Sequence, residues 1–526
     1  MATLTMGFDI LKQLFFVESD ERNPVHEQAP TASETNTNSL AMETNDVKLE
    51  EYIHKEDVDE DEEDEEEDSD EEEEDDDDDS DDEEDSVRKQ RIAHFQAISD
   101  EHFILLAENH MQRNREHDDS KFQIKRRTHG AYNYVVILNS DKEKVVVKMP
   151  ITGIKGHWKP EHGNILRSEA HTLMYIKHKL PKFPVAKVFG YDEAFDNVVG
   201  APYILQSCLP GEQAVGSWID MENIVLDQGY FNNHPTQEFE EKRVKILKSL
   251  ARHMADLRQL EFDSIGMLYL EDDDPEKPFI GDHWDFIEDL GYRHYIKNPV
   301  FKSSADMYLR RHKAISGPEP GLDFMRETII TSEPFASSKK FPEDQKETFT
   351  LGHDDIDLQN ILVNEEGEVT GILDWDQVTT VPRCIGFASV PVFLRVDFFS
   401  IYQFPDTRTH RFPPILFPWN LEKYRKIYAD AIKDACGEDA EAAKYCEKSA
   451  LYKAVHYMMF GNYNTWKTNQ ENLIKYMMCV IPQLRRADYD AFHNAVCDED
   501  NFGGDWKEGK AIWQDGVPRI LDHRNI

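Results

Sequence analysis

No uncharged apolar run in this sequence reaches the roughly 18 residues that a membrane-spanning helix needs, so a membrane protein is not the expectation. The opening stretch MATLTMGFDILKQLFF has no basic start ahead of a continuous hydrophobic segment and no small-residue cleavage site, which reads against a secretory signal. The six cysteines (Cys208, Cys384, Cys436, Cys446, Cys479, Cys497) include no C-x-x-C pair. The expectation is a reduced, intracellular protein, cytoplasmic or nuclear, without structural zinc. Hydrophobic residues make up only 39%, and basic residues are outnumbered 59 to 104, for a formal charge of −45. Attraction to nucleic acid or to anionic lipid is therefore not expected.

The charge is concentrated. From Glu56 to Asp85, 27 of 30 residues are Asp or Glu, and the rest of the chain carries 77 acidic against 59 basic residues. Such a run repels itself and cannot collapse, so residues 1–88 are expected to be disordered around the acidic tract 56–85. The tract reads either as a docking arm for a basic protein partner or as a solubilising tail. At 526 residues the remainder is long enough for two lobes. Leading helical segments around Ile92–Leu106 introduce an N-lobe over 89–208. Its expected parts are strands at Lys121–Arg127, Tyr134–Leu138 and Lys144–Met149, a helix at Ile165–Lys179, and strands at Ala186–Tyr191 and Tyr203–Gln206. LPGE at Leu209–Glu212 marks the crossing into a mostly helical C-lobe over 209–505, and 506–526 reads as a C-terminal tail. Helices are expected at Phe239–Leu260, Leu421–Cys436, Ala442–Phe460 and Glu471–Val480, with one hairpin at Ile361–Leu373.

The hairpin carries the chemistry. In HDDIDLQNILVNEEGEVTGILDWD (His353–Asp376), folding two apolar strands about the Glu365–Gly367 turn brings Asn360 and Asp374 to the same open end. Asp355 sits in the loop just ahead. Mg²⁺ prefers oxygen ligands and takes one or two from protein when phosphates supply others, a role open to Asn360 and Asp374. Asp355 can then orient or deprotonate an attacking hydroxyl. The plainer alternative is that Asn and Asp cap an ordinary hairpin. Upstream, Lys148 closes the run VVVK and Glu169 lies 21 residues on in the next helix, where it can pair with the ammonium.

The order strand–VVVK, helical Glu, HDDIDLQN, then ILDWD resembles the aminoglycoside phosphotransferase and choline kinase-like superfamily. It is similar in particular to the fungal branch carrying DLQNILV, IIDWD and VPRC, here Asp357–Val363, Ile372–Asp376 and Val381–Cys384. The resemblance spans about Lys121 to the late C-terminal helices. It implies an α+β, bilobal protein-kinase-like fold, with a small N-lobe antiparallel sheet plus one helix, a larger helical C-lobe, and ATP and Mg²⁺ in the cleft. It also implies roles: Lys148 on the α and β phosphates, Glu169 holding it, Asp355 the catalytic base, and Asn360 and Asp374 the metal ligands. The turn Thr128–Asn133 around Gly130 would cover the phosphates, Gln206 to Cys208 would meet adenine through backbone atoms, and His353 would support the loop.

The sequence departs from the pattern at three places. The phosphate turn has one glycine, Asp354 stands where the superfamily has Gly, and Asp357 where many members have His. These carboxylates can raise neighbouring pKa values, attract a cationic substrate, or damage catalysis. No arginine precedes Asp355, DWD replaces DFG, and no APE-like segment follows, which favours a small-molecule hydroxyl acceptor over a protein substrate. The segment Gly266–Lys346, rich in aromatics and acids, is either part of the acceptor pocket or a surface elaboration. The competing function is a catalytically inactive kinase-like module that binds partners through its acidic arm.

Overall fold

The computed structural model describes residues 78–112, 121–220, 232–289, 292–316, 320–336, 346–398, 416–437, 440–460, 463–489, 491–492 and 505–524. Two helices lead, α1 (Asp78–Gln96) and α2 (Asp100–Gln112). They precede β1 (Gln123–His129), β2 (Asn133–Asn139) and β3 (Lys144–Pro150). Helix α3 (Pro160–Lys179), β4 (Val188–Asp192) and β5 (Tyr203–Ser207) complete the N-lobe. Its five strands form one antiparallel sheet in the order β1-β2-β3-β5-β4.

The period of two along β3 decides which face each residue serves. Val145, Val147 and Met149 are fully buried against Phe95, Phe103 and Leu106 of the leading helices. Lys148 therefore points to the opposite face. There its sheet neighbour Ile204 packs on Leu166 and Ala170 of α3. The valines thus fix where the lysine goes.

The last part of the acidic tract lies in the first described helix. Helix α1 begins at Asp78. The expected tract up to Asp77 lies outside the described residues.

The crossing between lobes runs through Gly211 at φ +107°, where a Cβ would sit 2.7 Å from the Val363 carbonyl oxygen. Only glycine suits both demands. The chain continues as β6 (Glu212–Gln213), α4 (Val215–Trp218) and α5 (Gln237–Asp256). Next come β7 (Gly266–Leu270), β8 (Pro278–Gly281), β9 (His283–Asp289), β10 (Tyr292–Asn298), α6 (Ser304–Ile315) and α7 (Pro320–Ile330). The site segment holds β11 (Phe349–Gly352), β12 (Ile361–Val363), β13 (Val369–Ile372) and β14 (Thr379–Pro382). Helices α8 (Pro418–Cys436), α9 (Ala440–Phe460), α10 (Tyr463–Val480) and α11 (Asp505–Leu521) follow.

The C-lobe is richer in sheet than expected. β11-β14-β7-β8 form a four-stranded antiparallel sheet, β9 and β10 a hairpin, and β6 joins the β12–β13 hairpin. The stretch expected to be a tail is instead a core helix. Trp513, Val517 and Leu521 of α11 are fully buried, at the i, i+4, i+8 spacing of one helical face. Lys448 caps its end by donating to the Ile520 and Asp522 carbonyls at 2.8 and 2.7 Å. Among the described residues no helix is long and apolar enough to cross a membrane.

Candidate active site

The hairpin turn is closed by Gly367, at φ +82°, whose N–H donates to the Asn364 carbonyl, and by Glu368 N–H donating to Asn364 Oδ1 at 2.9 Å. At the open end Leu373 N–H donates to the Asn360 carbonyl at 2.8 Å. Asn360 and Asp374 are thereby set side by side, as the pairing argument expects. Asp374 has φ +60°, a left-handed conformation uncommon for a non-glycine residue and concentrated at functional sites.

Lys148 joins the two lobes. Its Nζ donates to Glu169 Oε1 and to Asp374 Oδ1, both at 2.7 Å. Burial by itself would lower the lysine pKa, but Asp374, Glu169 and Asp376 outweigh it and hold the ammonium well above its ordinary value. The Asp374 carboxyl is pulled down, burial being overcome by Lys148. Asp376 belongs to the same cluster, and burial, then Asp374, push its carboxyl well up against the partial relief from Lys148. The sequence reading did not name it, although its i, i+2 spacing from Asp374 in DWD was the available signal.

Asp355 faces a different set of groups. Asn360 Nδ2 donates to its backbone oxygen at 3.0 Å and to Oδ2 at 2.8 Å. The other oxygen, Oδ1, is buried without a partner. Burial first, then Asp374 and Asp357, push this carboxyl up to about 7, against the Asn360 bond that favours the ionised form. Asp357 thus does raise its neighbour.

His353 is a support. Its Nε2–H donates to the Leu373 carbonyl at 3.0 Å and its Nδ1 accepts from Asp355 N–H at 3.3 Å. Those two bonds require the neutral Nε2–H tautomer, and burial lowers its pKa to about 4.

Asp354 pushes upward on its neighbours His353, Lys453 and His456, against the lowering by burial, and its own carboxylate is paired within the protein. It is bound by the Lys453 ammonium of α9, and Arg395 donates to its backbone oxygen at 2.9 Å. Burial is overcome by Lys453, which holds the Asp354 carboxyl far below its usual range. The sequence reading missed Lys453 and Arg395. A lysine in the otherwise apolar face of Ala450–Met459 was the visible hint.

The expected nucleotide contacts divide. Gly130 heads the β1–β2 turn, where its N–H donates to the Asn133 carbonyl and its own carbonyl accepts from Arg88 at 3.0 Å. A Cβ there would meet nothing within 4 Å, so the turn is open above. The Cys208 N–H is taken by the Lys144 carbonyl at 3.0 Å. The Ser207 N–H is likewise taken, by the Lys187 carbonyl at 2.9 Å. Gln206 lies in β5 with its side-chain oxygen buried and unpartnered. The first half of the segment Gly266–Lys346 packs on α3, with Met267 and Tyr269 against Ile165 and Leu270 N–H donating to His171.

Among the described residues no three His, Cys, Asp or Glu side chains group as a metal cluster. A magnesium site built on Asn360 and Asp374 asks for only two protein oxygens, with water and phosphates supplying the rest. Asn360 spends its nitrogen on Asp355, which leaves its carbonyl oxygen as the atom for a cation. The donor set fits a hard divalent ion.

An antiparallel sheet bearing a lysine, a single helix bearing its glutamate, and a helical lobe presenting a loop-and-hairpin site make a two-lobed α+β fold. No family model matches the chain. Two Aspergillus fumigatus proteins, both subtelomeric hrmA-associated cluster proteins, are 34% identical to it over 92 residues. That match spans 18% of this chain and only 17% of the length of those relatives. Among solved structures it is similar to a Ralstonia eutropha protein assigned as an aminoglycoside phosphotransferase, at 12% identity and TM-score 0.38, covering 78% of this chain and 97% of that one. It is also similar to an aminoglycoside phosphotransferase in ternary complex with AMP-PNP and hygromycin B (10% identity, TM-score 0.35, 68% and 92% covered). A third is a macrolide 2′-phosphotransferase type I (14%, TM-score 0.35, 70% and 96%).

Proposed function

We propose that this protein is an ATP- and Mg²⁺-dependent phosphotransferase that moves the γ-phosphoryl group to a hydroxyl of a small molecule. One observation carries the reading. A buried ammonium, Lys148, is held between Glu169 and Asp374, on a hairpin site that also holds a buried carboxylate oxygen of Asp355 with no partner. Lys148 supplies positive charge for nucleotide phosphates. When bound, Mg²⁺ on Asn360 and Asp374 would neutralise charge on the phosphates. Asp355 Oδ1 accepts the proton of the acceptor hydroxyl as its oxygen forms the new bond to phosphorus and ADP departs. A carboxyl pushed up to about 7 is a fitting acceptor for that proton at neutral pH.

A small-molecule acceptor is supported by the residue ahead of Asp355. Asp354 occupies that position and is bound by Lys453, so a phosphorylated activation loop would find no arginine there.

The test is thermal denaturation of the full chain with and without Mg·ATP. Saturating nucleotide should raise the Tm by roughly 2–5 °C, and Lys148→Ala should abolish the rise. An unchanged Tm at millimolar Mg·ATP would overturn the assignment in favour of the inactive module.

A further inference from the structure

Helix α3 is gripped on two opposite sides. Glu169 and His171 stand two positions apart, hence about 200° apart around the helix axis. Glu169 reaches Lys148 in the N-lobe sheet, while His171, 2% exposed, reaches Asp273, which follows β7 in the other lobe. His171 Nε2–H lies 2.8 Å from both Asp273 Oδ1 and the Tyr191 hydroxyl. Tyr191 donates to the same carboxylate oxygen at 2.6 Å. His171 Nδ1 accepts from Leu270 N–H at 2.9 Å, so both ring nitrogens are committed and the imidazole is neutral. One carboxylate thus ties the helix, through His171, to the edge strand β4 of the N-lobe sheet, through Tyr191.

Other contacts from the same segment run along the whole helix. Tyr295 meets His162 ring to ring at 5.4 Å, and Met267 and Tyr269 pack on Ile165. Glu276 accepts from His178 Nε2 at 2.7 Å and Lys179 Nζ at 2.8 Å. The segment is anchored beside the site itself, for β7 pairs with β14, Met267 opposite Thr379, three residues beyond Asp376. Asp272 and Asp273 both have left-handed backbones, φ +53° and +57°. Non-glycine residues hold that conformation only where surrounding contacts fix it.

We propose that this Asp273 clasp holds α3 where Glu169 meets Lys148, which makes Asp273 a positioning residue for nucleotide use. The inference rests on the phosphotransferase reading. The Lys148–Glu169 pair does not secure the helix by itself, since removing both charges from water offsets most of their attraction. A second grip from the opposite side supplies what the ion pair lacks.

The experiment compares Asp273→Ala with Asp273→Asn in the full chain. The asparagine oxygen still accepts from His171 and Tyr191; alanine accepts nothing. Loss of the charge-assisted bonds in Asp273→Ala should weaken Mg·ATP binding roughly tenfold, read by thermal-shift titration. Without nucleotide, backbone hydrogen exchange across residues 165–176 should quicken by roughly the same factor. Asp273→Asn should stay within about twofold of the unaltered chain in both readouts. Asp273 is half exposed on a loop, so folding is not at stake, and Tyr191→Phe, which removes one donor, should fall between the two variants. Unchanged exchange in Asp273→Ala overturns the clasp. Faster exchange with unchanged nucleotide affinity overturns its link to Lys148. Absence of nucleotide binding by the unaltered chain overturns the phosphotransferase reading instead, a failure told apart because helix exchange is measured without nucleotide.

Discussion

Replacing Asp355 by asparagine should lower phosphoryl transfer by about 10³-fold, the range expected when a positioned proton acceptor is removed, while leaving the Mg·ATP thermal shift intact. The substitution is nearly isosteric. The new amide oxygen can still accept from Asn360 Nδ2, now at 2.8 Å from the carboxylate, so the loop keeps its shape. What disappears is the oxygen able to take a proton. Stability should move the other way from activity. In the folded chain the carboxyl is raised to about 7 from an ordinary value near 3.8, so between those values the folded state binds more protons than the unfolded one. Stability of the nucleotide-free protein therefore falls as pH rises from about 4 to 7. Asp355→Asn should flatten that slope and be at least as stable as the parent above pH 7, in urea unfolding followed across pH. Lost turnover with lost stability would point to a structural aspartate. Unchanged turnover would remove Asp355 from the chemistry.

How far the sequence foretells this site depends on how local each contact is. The hairpin was legible because its two strands are adjacent, and the turn between them dictates that Asn360 and Asp374 meet. Lys148 was legible because it closes the VVVK run with Glu169 on the next helix and the hairpin site following in order. The Lys148–Asp374 bond joins residues 226 positions apart and could be expected only through the resemblance. No motif flagged the Lys453–Asp354 pair, 99 positions apart, or the His171–Asp273 contact, 102 apart. A charged residue on an amphipathic element reads as solvent-facing until topology supplies its partner. Helix α11 was missed for a different reason. Pro518 inside it and the surrounding charges obscure the Trp513, Val517, Leu521 stripe, and core burial overrides that local propensity.

The Asp354–Lys453 pair gives the second large effect, and its two halves should behave differently. Asp354 stands where the pattern this sequence resembles has glycine, yet Asp354→Gly should destabilise this protein by about 3 kcal/mol. The loss strands a buried ammonium, at the low end of what breaking a buried ion pair costs. Lys453 is 2% exposed and Asp354 44%, so the opposite change strands the wetter group. Lys453→Met leaves a partly hydrated carboxylate beside Arg395 and should cost only about 1 kcal/mol. With both replaced, no charge is left without its partner, and stability should return to within about 1 kcal/mol of the parent. The pH dependences should also differ in sign. Burial, only partly offset by Asp354, already lowers the Lys453 pKa, and lowers it further once Asp354 is gone. The unfolded state of Asp354→Gly then binds more protons than the folded one, so its deficit shrinks as pH rises. In the parent the Asp354 carboxyl is depressed on folding, a contribution present above about pH 4 and lost as pH falls below it. Lys453→Met lacks that contribution, and its deficit should shrink on acidification. Denaturant unfolding of the four proteins across pH separates these signs. Equal costs for the two single changes, or a double variant whose loss equals their sum, would mean that the aspartate and the lysine are not coupled and that Asp354 is in this loop for another reason.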